Sequence, residues 1–124
     1  MGGVVHHLCG VRVYECAADG PAPTSDRDAI DLMSEAGGHG ALLVAIPAAR
    51  LGAGFFDLRT RIAGEFLQKF VTYGMRVAIV GDVPAEHAAS TSLLSFIREC
   101  NRGNDIWFVS DRAELEQRLA ERRV

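Results

Sequence analysis

Three aspartates, Asp57, Asp82 and Asp111, stand near the ends of successive strand-like segments and are well placed to do chemistry. In an open α/β sheet the carboxyl ends of parallel strands meet at one edge, and ligands bind outside that edge. The three carboxylates are therefore expected to share one polar rim. Three further polar residues are expected to belong to it: Arg59, Thr60 and Arg112. Such a rim could bind a polar ligand or a partner, provide a general acid or base, or hold a divalent cation loosely.

The same aspartates also have ordinary structural roles. Asp57 and Asp111 fall at predicted helix starts, where an N-cap side chain contributes about 1 kcal/mol, and Asp82 follows a strand as a turn residue. Magnesium would suit these oxygen ligands, but no spacing in the sequence requires it. We therefore predict neither a bound metal nor a cofactor.

Nucleophilic catalysis has little support in the sequence. The three cysteines, Cys9, Cys16 and Cys100, show no metal-binding spacing, and Cys100 falls in the last turn of a predicted helix, where the dipole disfavours a thiolate. The four histidines are scattered, and no G-x-S-x-G turn occurs. Reduced, packed thiols are the simplest interpretation of the cysteines.

The elements that position these residues alternate between strands and helices after an initial hairpin. Strands are predicted over residues 4–8, 11–16, 41–46, 76–80 and 106–109, with Cys9-Gly10 as a two-residue turn. Helices are predicted from 25 to about 37, from 55 to Gly74, from about 90 to 101, and from 111 onwards. This order, ββαβαβαβα, implies an α/β fold with a mostly parallel mixed sheet and an antiparallel N-terminal hairpin. We expect a single domain over residues 1–124.

The long helix is the most clearly patterned element. Its apolar stripe steps by four residues through Leu58, Ile62, Phe66 and Phe70. The preceding residues 47–54 contain a proline and two glycines and are predicted to be a loop. Gly64 in this helix indicates a close approach by another element or by a partner chain.

Composition narrows the class of protein. With 48% hydrophobic and 23% charged residues, the composition of the chain is typical of a globular domain. Its net charge of -3 argues against a protein that binds the phosphate backbone of nucleic acids. The apolar run 41–49 is far shorter than the roughly 20 residues of a membrane span, and the N-terminus does not resemble a secretory signal. We therefore expect a cytoplasmic protein that binds neither membrane nor nucleic acid. The arginines near the C-terminus, including Arg118, are predicted to lie on a solvated helix face.

Two long segments carry a resemblance to a known family. The segments FFDLRTRIAGEFLQKFVTYGMRVAIVGD and SLLSFIRECNRGNDIWFVSD cover residues 55–82 and 92–111. They resemble the signature blocks of the family named domain of unknown function 4180. The resemblance implies no activity, because none is established for that family.

The order of elements is also similar to that of STAS domains, the fold of the anti-sigma-factor antagonists. In those domains a Ser or Thr at the start of the helix after the third strand is phosphorylated, which switches partner binding. Asp57 matches the aspartate of that pattern, Leu58 occupies the usual acceptor position, and Thr60 is the nearby hydroxyl. Arg61 stands where a small residue is expected, and this departure argues against a phosphoswitch.

These observations favour a small binding or regulatory module that acts through the rim at the start of the helix after the third strand. Its expected partner is a protein, and a second copy of the chain is one candidate. The alternative is a small enzyme, of a tailoring or cyclising type, that uses the same rim as a pocket with an aspartate as general acid or base. A deep cavity with a carboxyl of raised pKa would favour the enzyme, and a flat or convex rim would favour the partner.

Overall fold

Among residues 3–121, which a computed structural model describes, five strands form one sheet in the order of the sequence. They are β1 (Val4–Leu8), β2 (Val11–Glu15), β3 (Leu43–Pro47), β4 (Arg76–Val80) and β5 (Ile106–Val109). β1 pairs with β2 in antiparallel fashion, and β2 to β5 are parallel to one another. The predicted α/β class, with a mostly parallel sheet and an antiparallel hairpin at its start, is confirmed.

The helices fill the connections between the parallel strands and follow the last one. They are α1 (Asp26–Gly38), α2 (Ala48–Phe56), α3 (Ile62–Tyr73), α4 (Thr91–Arg102) and α5 (Arg112–Glu121), with short 3₁₀ turns at Leu58–Thr60 and Ala85–His87. Within residues 3–121 no helix combines the length and the apolar character needed to cross a lipid bilayer.

The sheet is covered on both faces by different helices. Because neighbouring residues of a strand point to opposite faces, Val44 and Ile46 of β3 pack with α1 to α4, whereas Leu43 and Ala45 pack with α5. Right-handed crossovers that all advance in the same direction along the sheet place their helices on one face. The second face is therefore left for α5, whose Leu115 is buried against it.

The hairpin follows its predicted register. Cys9 and Gly10 have φ angles of 50° and 81°, and Leu8 lies opposite Val11. Positive φ at both central residues gives the turn the twist that matches its flanking strands. The three cysteines are free thiols.

The connection between β3 and α3 differs from its prediction. Residues 48–56 form α2 and are not a loop, and α2 contains a break at Gly52, where φ is 74°. Leu51 and Phe55, on either side of this break, are both buried in the core, so burial of apolar side chains holds the two short helical pieces that Gly52 separates. The long helix correspondingly begins at Ile62 and not at residue 55, although its predicted stripe at Phe66 and Phe70 is fully buried.

Predictions about two single residues, Gly64 and Arg118, need correction. Gly64 is exposed and a Cβ atom there would meet nothing within 4 Å, so the predicted close approach by another element is wrong within residues 3–121, and an approach by a partner chain stays a prediction. Arg118 does not point into solvent. Its guanidinium lies 4.6 Å from the centre of the Trp107 ring and donates to the Asn101 carbonyl at 2.6 Å. Arg76 lies at the same distance, 4.6 Å, from the Trp107 ring centre, so the buried indole has two cationic neighbours.

We expect the Arg118→Met variant to lower the free energy of unfolding by about 1–2 kcal/mol, because it removes a partly desolvated cation–π contact and a hydrogen bond. The measurement is urea unfolding followed by the fluorescence of Trp107, the one tryptophan of the chain. Arg98→Met, at an exposed position of α4, is the matched control and should stay within about 0.5 kcal/mol of the wild type. Equal stabilities of the two variants would contradict a stabilising role of the stack.

Candidate functional site

The sequence motif FFDLRT forms the joint between α2 and α3. α2 ends at Phe56, residues 58–60 form a 3₁₀ turn, and α3 starts at Ile62. Asp57 has an extended backbone, and Arg61 adopts the left-handed conformation with φ of 65°. These two conformations reverse the chain between the helices, and we call residues 57–61 the 57–61 turn.

Asp57 and Arg59 form a bidentate ion pair within this turn. Arg59 Nε donates to Asp57 Oδ1 at 3.0 Å, and Arg59 Nη2 donates to Asp57 Oδ2 at 2.9 Å. The backbone N–H of Arg59 also donates to Asp57 Oδ1 at 3.1 Å, so Asp57 caps the 3₁₀ turn as well. The side chain of Arg59 is nevertheless 91% exposed. The pair therefore presents an arginine to solvent in a fixed orientation.

The pKa of Asp57 is lowered to about 2. The largest cause is the side-chain hydrogen bond from Arg59, followed by its backbone hydrogen bond, and a smaller contribution comes from the charge of His87. An aspartate with so low a pKa is a weak base and holds no proton to donate near neutral pH. Asp57 thus lacks the raised pKa that the enzymatic alternative requires.

The hydroxyl of Thr60 stabilises the 57–61 turn by hydrogen bonds. Its hydroxyl lies 2.8 Å from the Gly54 carbonyl and 2.8 Å from the Asp57 carbonyl, to which it donates, and it accepts from the N–H of Ile62 at 3.3 Å. The hydroxyl therefore ties the end of α2 to the start of α3. A phosphate on Thr60 would have to break these contacts, even though the residue is exposed.

Asp82 lies in the loop after β4, which packs against α2. Gly81 has a φ of 130°, and a Cβ atom there would lie 3.0 Å from the Cβ of Ala48 at the start of α2. Only glycine fits both the backbone angle and this close approach. The loop continues to the 3₁₀ turn that carries His87. Asp82 itself is exposed.

Asp111 and Arg112 lie where β5 passes into α5. Asp111 Oδ1 accepts from the N–H of Glu114 at 2.9 Å, which is the capping role of an aspartate at a helix start. Arg112 reaches away from α4 and α3, because its Nη2 lies 2.8 Å from Glu15 Oε1 and 3.0 Å from His6 Nε2. Its contacts are thus with the N-terminal hairpin.

The expected gathering of the three aspartates is met only in part. Asp82 and Asp111 each lie two residues beyond neighbouring parallel strands, β4 and β5. Asp57 does not directly follow β3 as expected, because α2 intervenes.

The cluster of His6, Glu15 and Arg112 was missed by the sequence interpretation. His6 Nε2 lies 2.7 Å from Glu15 Oε1, and both side chains are partly exposed. The hairpin register could have indicated this pair, since His6 lies opposite Val13 and Glu15 is the next residue on the same face. Arg112 has no such local signal, because it is about a hundred residues distant in sequence. A cavity of about 10 Å³ beside the cluster has room for one water molecule.

A larger cavity, of about 210 Å³, lies between α1, α2 and the loop after β2. Its polar lining is Asp28, Asp31, Glu35 and Arg50, and its apolar lining includes Ile46. Arg50 holds the loop, donating to the carbonyls of Pro21 and Ala17, each at 2.7 Å. Asp28 accepts from the backbone N–H groups of Thr24 and Ser25, the two residues before α1. None of the three rim aspartates lines this cavity.

Metal binding and thiol chemistry gain no support from the structure. Among residues 3–121 no three His, Cys, Asp or Glu side chains are grouped so that they could hold a metal ion. Burial raises the pKa of both the Cys16 and the Cys100 thiol to about 11. These two cysteines are therefore neutral at physiological pH and poor nucleophiles.

The Asp57 carboxyl should titrate with a midpoint near pH 2 in the folded chain, against an ordinary value of 3.8. Because the folded-state pKa is lowered, ionised Asp57 favours folding above pH 3.8, and this contribution is lost as the pH falls towards 2. The carboxyl ¹³C shift of Asp57 followed against pH measures the midpoint. In Arg59→Gln the midpoint should rise towards 3.8, whereas Arg102→Gln, which breaks a surface pair with Glu99, should leave it unchanged. A wild-type midpoint near 3.8 would show that the pair does not form in solution.

Thr60→Val should lower the free energy of unfolding by about 1 kcal/mol, because the isosteric side chain cannot bond the Gly54 and Asp57 carbonyls. Thr60→Ser keeps the hydroxyl and is the matched control. Denaturant unfolding of both variants measures the difference. If Thr60→Ser loses as much stability as Thr60→Val, the hydrogen bonds of the hydroxyl do not stabilise the turn.

Comparison with known proteins gives one assignment. No curated protein and no solved structure matches the chain significantly, so the likeness to STAS domains stays a prediction. Residues 9–119 match the family described as "Domain of unknown function (DUF4180)". This match covers most of the chain and confirms the resemblance carried by its two long segments. The chain belongs to the DUF4180 family.

Proposed function

We propose that this protein is a small cytoplasmic binding and regulatory module that contacts a partner protein through the 57–61 turn. The observation that carries the proposal is the exposed Arg59 side chain, which is held in one orientation by its two hydrogen bonds to Asp57. We include in the proposed contact surface the loop that carries Asp82, which packs on the start of α2 through Gly81.

The turn has the properties of a preorganised contact. Arginine is enriched at protein interfaces and among the residues that dominate binding energy. A side chain that is already fixed loses less conformational entropy on binding than a free one, which favours affinity. Arg59 uses Nε and Nη2 for Asp57, so Nη1 is left to face a partner. The backbone of the turn is equally fixed, by the Thr60 hydroxyl.

The charge of the turn indicates the chemistry of the partner. Asp57 is neutralised by Arg59, and Arg61 adds a second exposed positive charge beside it. The turn is therefore locally positive on a chain whose net charge is -3. This combination suits an acidic patch on the partner, and the rest of the surface would disfavour other docking orientations.

The enzymatic alternative, with a rim aspartate as general acid or base, is less well supported. The low pKa of Asp57 opposes such a role for that residue. Neither the 210 Å³ cavity beside α1 nor an open hollow of about 490 Å³ between α1 and α3 is lined by any of the three rim aspartates. In addition, the strand order β1 to β5 never reverses, so the sheet lacks the switch point at which open α/β sheets form a ligand crevice.

Capture of a partner from a lysate of the encoding organism, with quantitative mass spectrometry, tests the proposal. The test variant combines Arg59→Ala with Arg61→Asn, since asparagine tolerates the left-handed backbone at position 61. The control is Arg102→Ala, an exposed arginine on α4. We expect the wild type and the control to retain the same partner and the double variant to lose it by about tenfold or more.

Two checks make the result decisive. Trp107 fluorescence and circular dichroism confirm that the double variant is folded, and an acidic-to-neutral substitution in the captured partner should reproduce the loss. A partner that the double variant retains as well as the wild type would overturn the proposal for this surface.

A further inference from the structure

The two edge strands of the sheet, β1 and β5, differ in how their outward backbone groups are hydrogen-bonded. At the β5 edge the side chain of Asn101 accepts from the Phe108 N–H at 2.7 Å and donates to the Phe108 carbonyl at 3.2 Å. The side-chain amide of Asn101, on α4, thus bonds to the N–H and C=O groups of Phe108, which face away from β4. Proteins commonly blunt sheet edges in such ways, because an open edge pairs with other strands. At the β1 edge no side chain of residues 3–121 bonds to the backbone of Val4–Leu8.

The outward backbone groups of β1 can be identified from the neighbouring pairings. The Arg12 carbonyl accepts from the N–H of Leu42, and the N–H of Cys16, the residue after β2, donates to the Ala45 carbonyl. The backbone groups of the even-numbered residues therefore face β3. Val11, Val13 and Glu15 must then face β1, where they lie opposite Leu8, His6 and Val4. The N–H and C=O groups of the two remaining residues, Val5 and His7, therefore point away from the sheet.

We propose that β1 is the edge through which two copies of this chain form an antiparallel dimer, with His6 on the twofold axis. In this arrangement Val5 of each copy lies opposite His7 of the other, and the outward groups of both residues form four interchain hydrogen bonds. All outward groups of β1 between Val4 and Leu8 are then satisfied. The proposal concerns a surface other than the 57–61 turn and does not depend on the proposed function.

The side chains favour a second copy over an unrelated strand. In the proposed register Val4, which is 53% exposed, lies opposite Leu8 of the second copy, and the symmetry repeats this apolar pair. The other cross-strand pairs join Val5 with His7 and His6 with His6. Each His6 has Arg112 beside it, and the charge of Arg112 is compensated by Glu15, whereas Arg12 donates to His7. β1 also lacks proline and lysine, the residues that protect edges, and its pairing with β2 runs over five residues without a bulge.

Sedimentation equilibrium of the full chain over a wide concentration range tests the dimer. The test variant is Val5→Pro, which removes the outward N–H and is tolerated at an edge whose N–H faces solvent. Its matched control is Val5→Ala, which shortens the same half-buried side chain but keeps the N–H. We expect a monomer–dimer equilibrium whose dissociation constant rises by about tenfold or more in Val5→Pro and clearly less in Val5→Ala. A wild type that stays monomeric at every concentration overturns the proposal.

Amide hydrogen exchange of the wild type gives a second measurement that needs no variant. The amides of His6 and Leu8 bond to β2 and should be protected at all concentrations. The amides of Val5 and His7 should become protected only as the concentration rises and the dimer forms. A dimer in which Val5 and His7 remain unprotected would use another surface and would equally overturn the proposal.

Discussion

The order of the strands is the constraint on which the other features depend. The parallel strands β2 to β5 follow one another across the sheet in sequence order. Every right-handed crossover between them therefore lies on the same face of the sheet. α1, α2, α3 and α4 are therefore crowded onto one face, and the opposite face would be bare without α5. The last helix is thus required by the topology, and its docking explains why Arg118 stacks on Trp107 and Arg112 reaches the N-terminal hairpin.

The same constraint shapes the rim. A sheet that never reverses its strand order has no crevice between diverging helices, so polar residues at its carboxyl edge lie on loops that pack against helices. Gly81 packs on Ala48, and the 57–61 turn closes the joint between α2 and α3. Asp57 consequently serves as a cap and an ion-pair partner, and Asp111 serves as a helix cap.

Much of the fold could be predicted from the sequence because its strands and the α3 stripe are strongly patterned. The joint could not, because its conformation depends on single residues whose backbone angles break the pattern. Leu58 and Ile62 continue the apolar stripe of α3 and suggest an unbroken helix, yet the extended Asp57 and left-handed Arg61 interrupt it. The glycines before Phe55 predict a loop, and Gly52 does interrupt α2, although the buried Leu51 and Phe55 hold the segment against the core.

The candidate site was predictable to a similar degree. Local signals placed Asp82 and Asp111 correctly beyond their strands, and they identified Asp57, Arg59 and Thr60 as one group. The contacts of Arg112 and Arg118 were not predictable, because they join residues that only the packing of α5 brings together. Spacing within a segment carries information about its own turn, whereas the partner of a long side chain is decided by the tertiary fold.

The two proposed surfaces are geometrically compatible, and their combination limits the kind of binding that a dimer could perform. Antiparallel pairing of β1 with its copy places the twofold axis perpendicular to the sheet, so the helices α1 to α4 of both copies lie on the same face. The parallel strands of the two copies then run in opposite directions, which puts the two 57–61 turns at opposite ends of that face. Avidity arises only when one ligand can engage both sites at once. The proposed dimer would therefore bind two partner molecules independently, unless one extended or repetitive partner reached both turns.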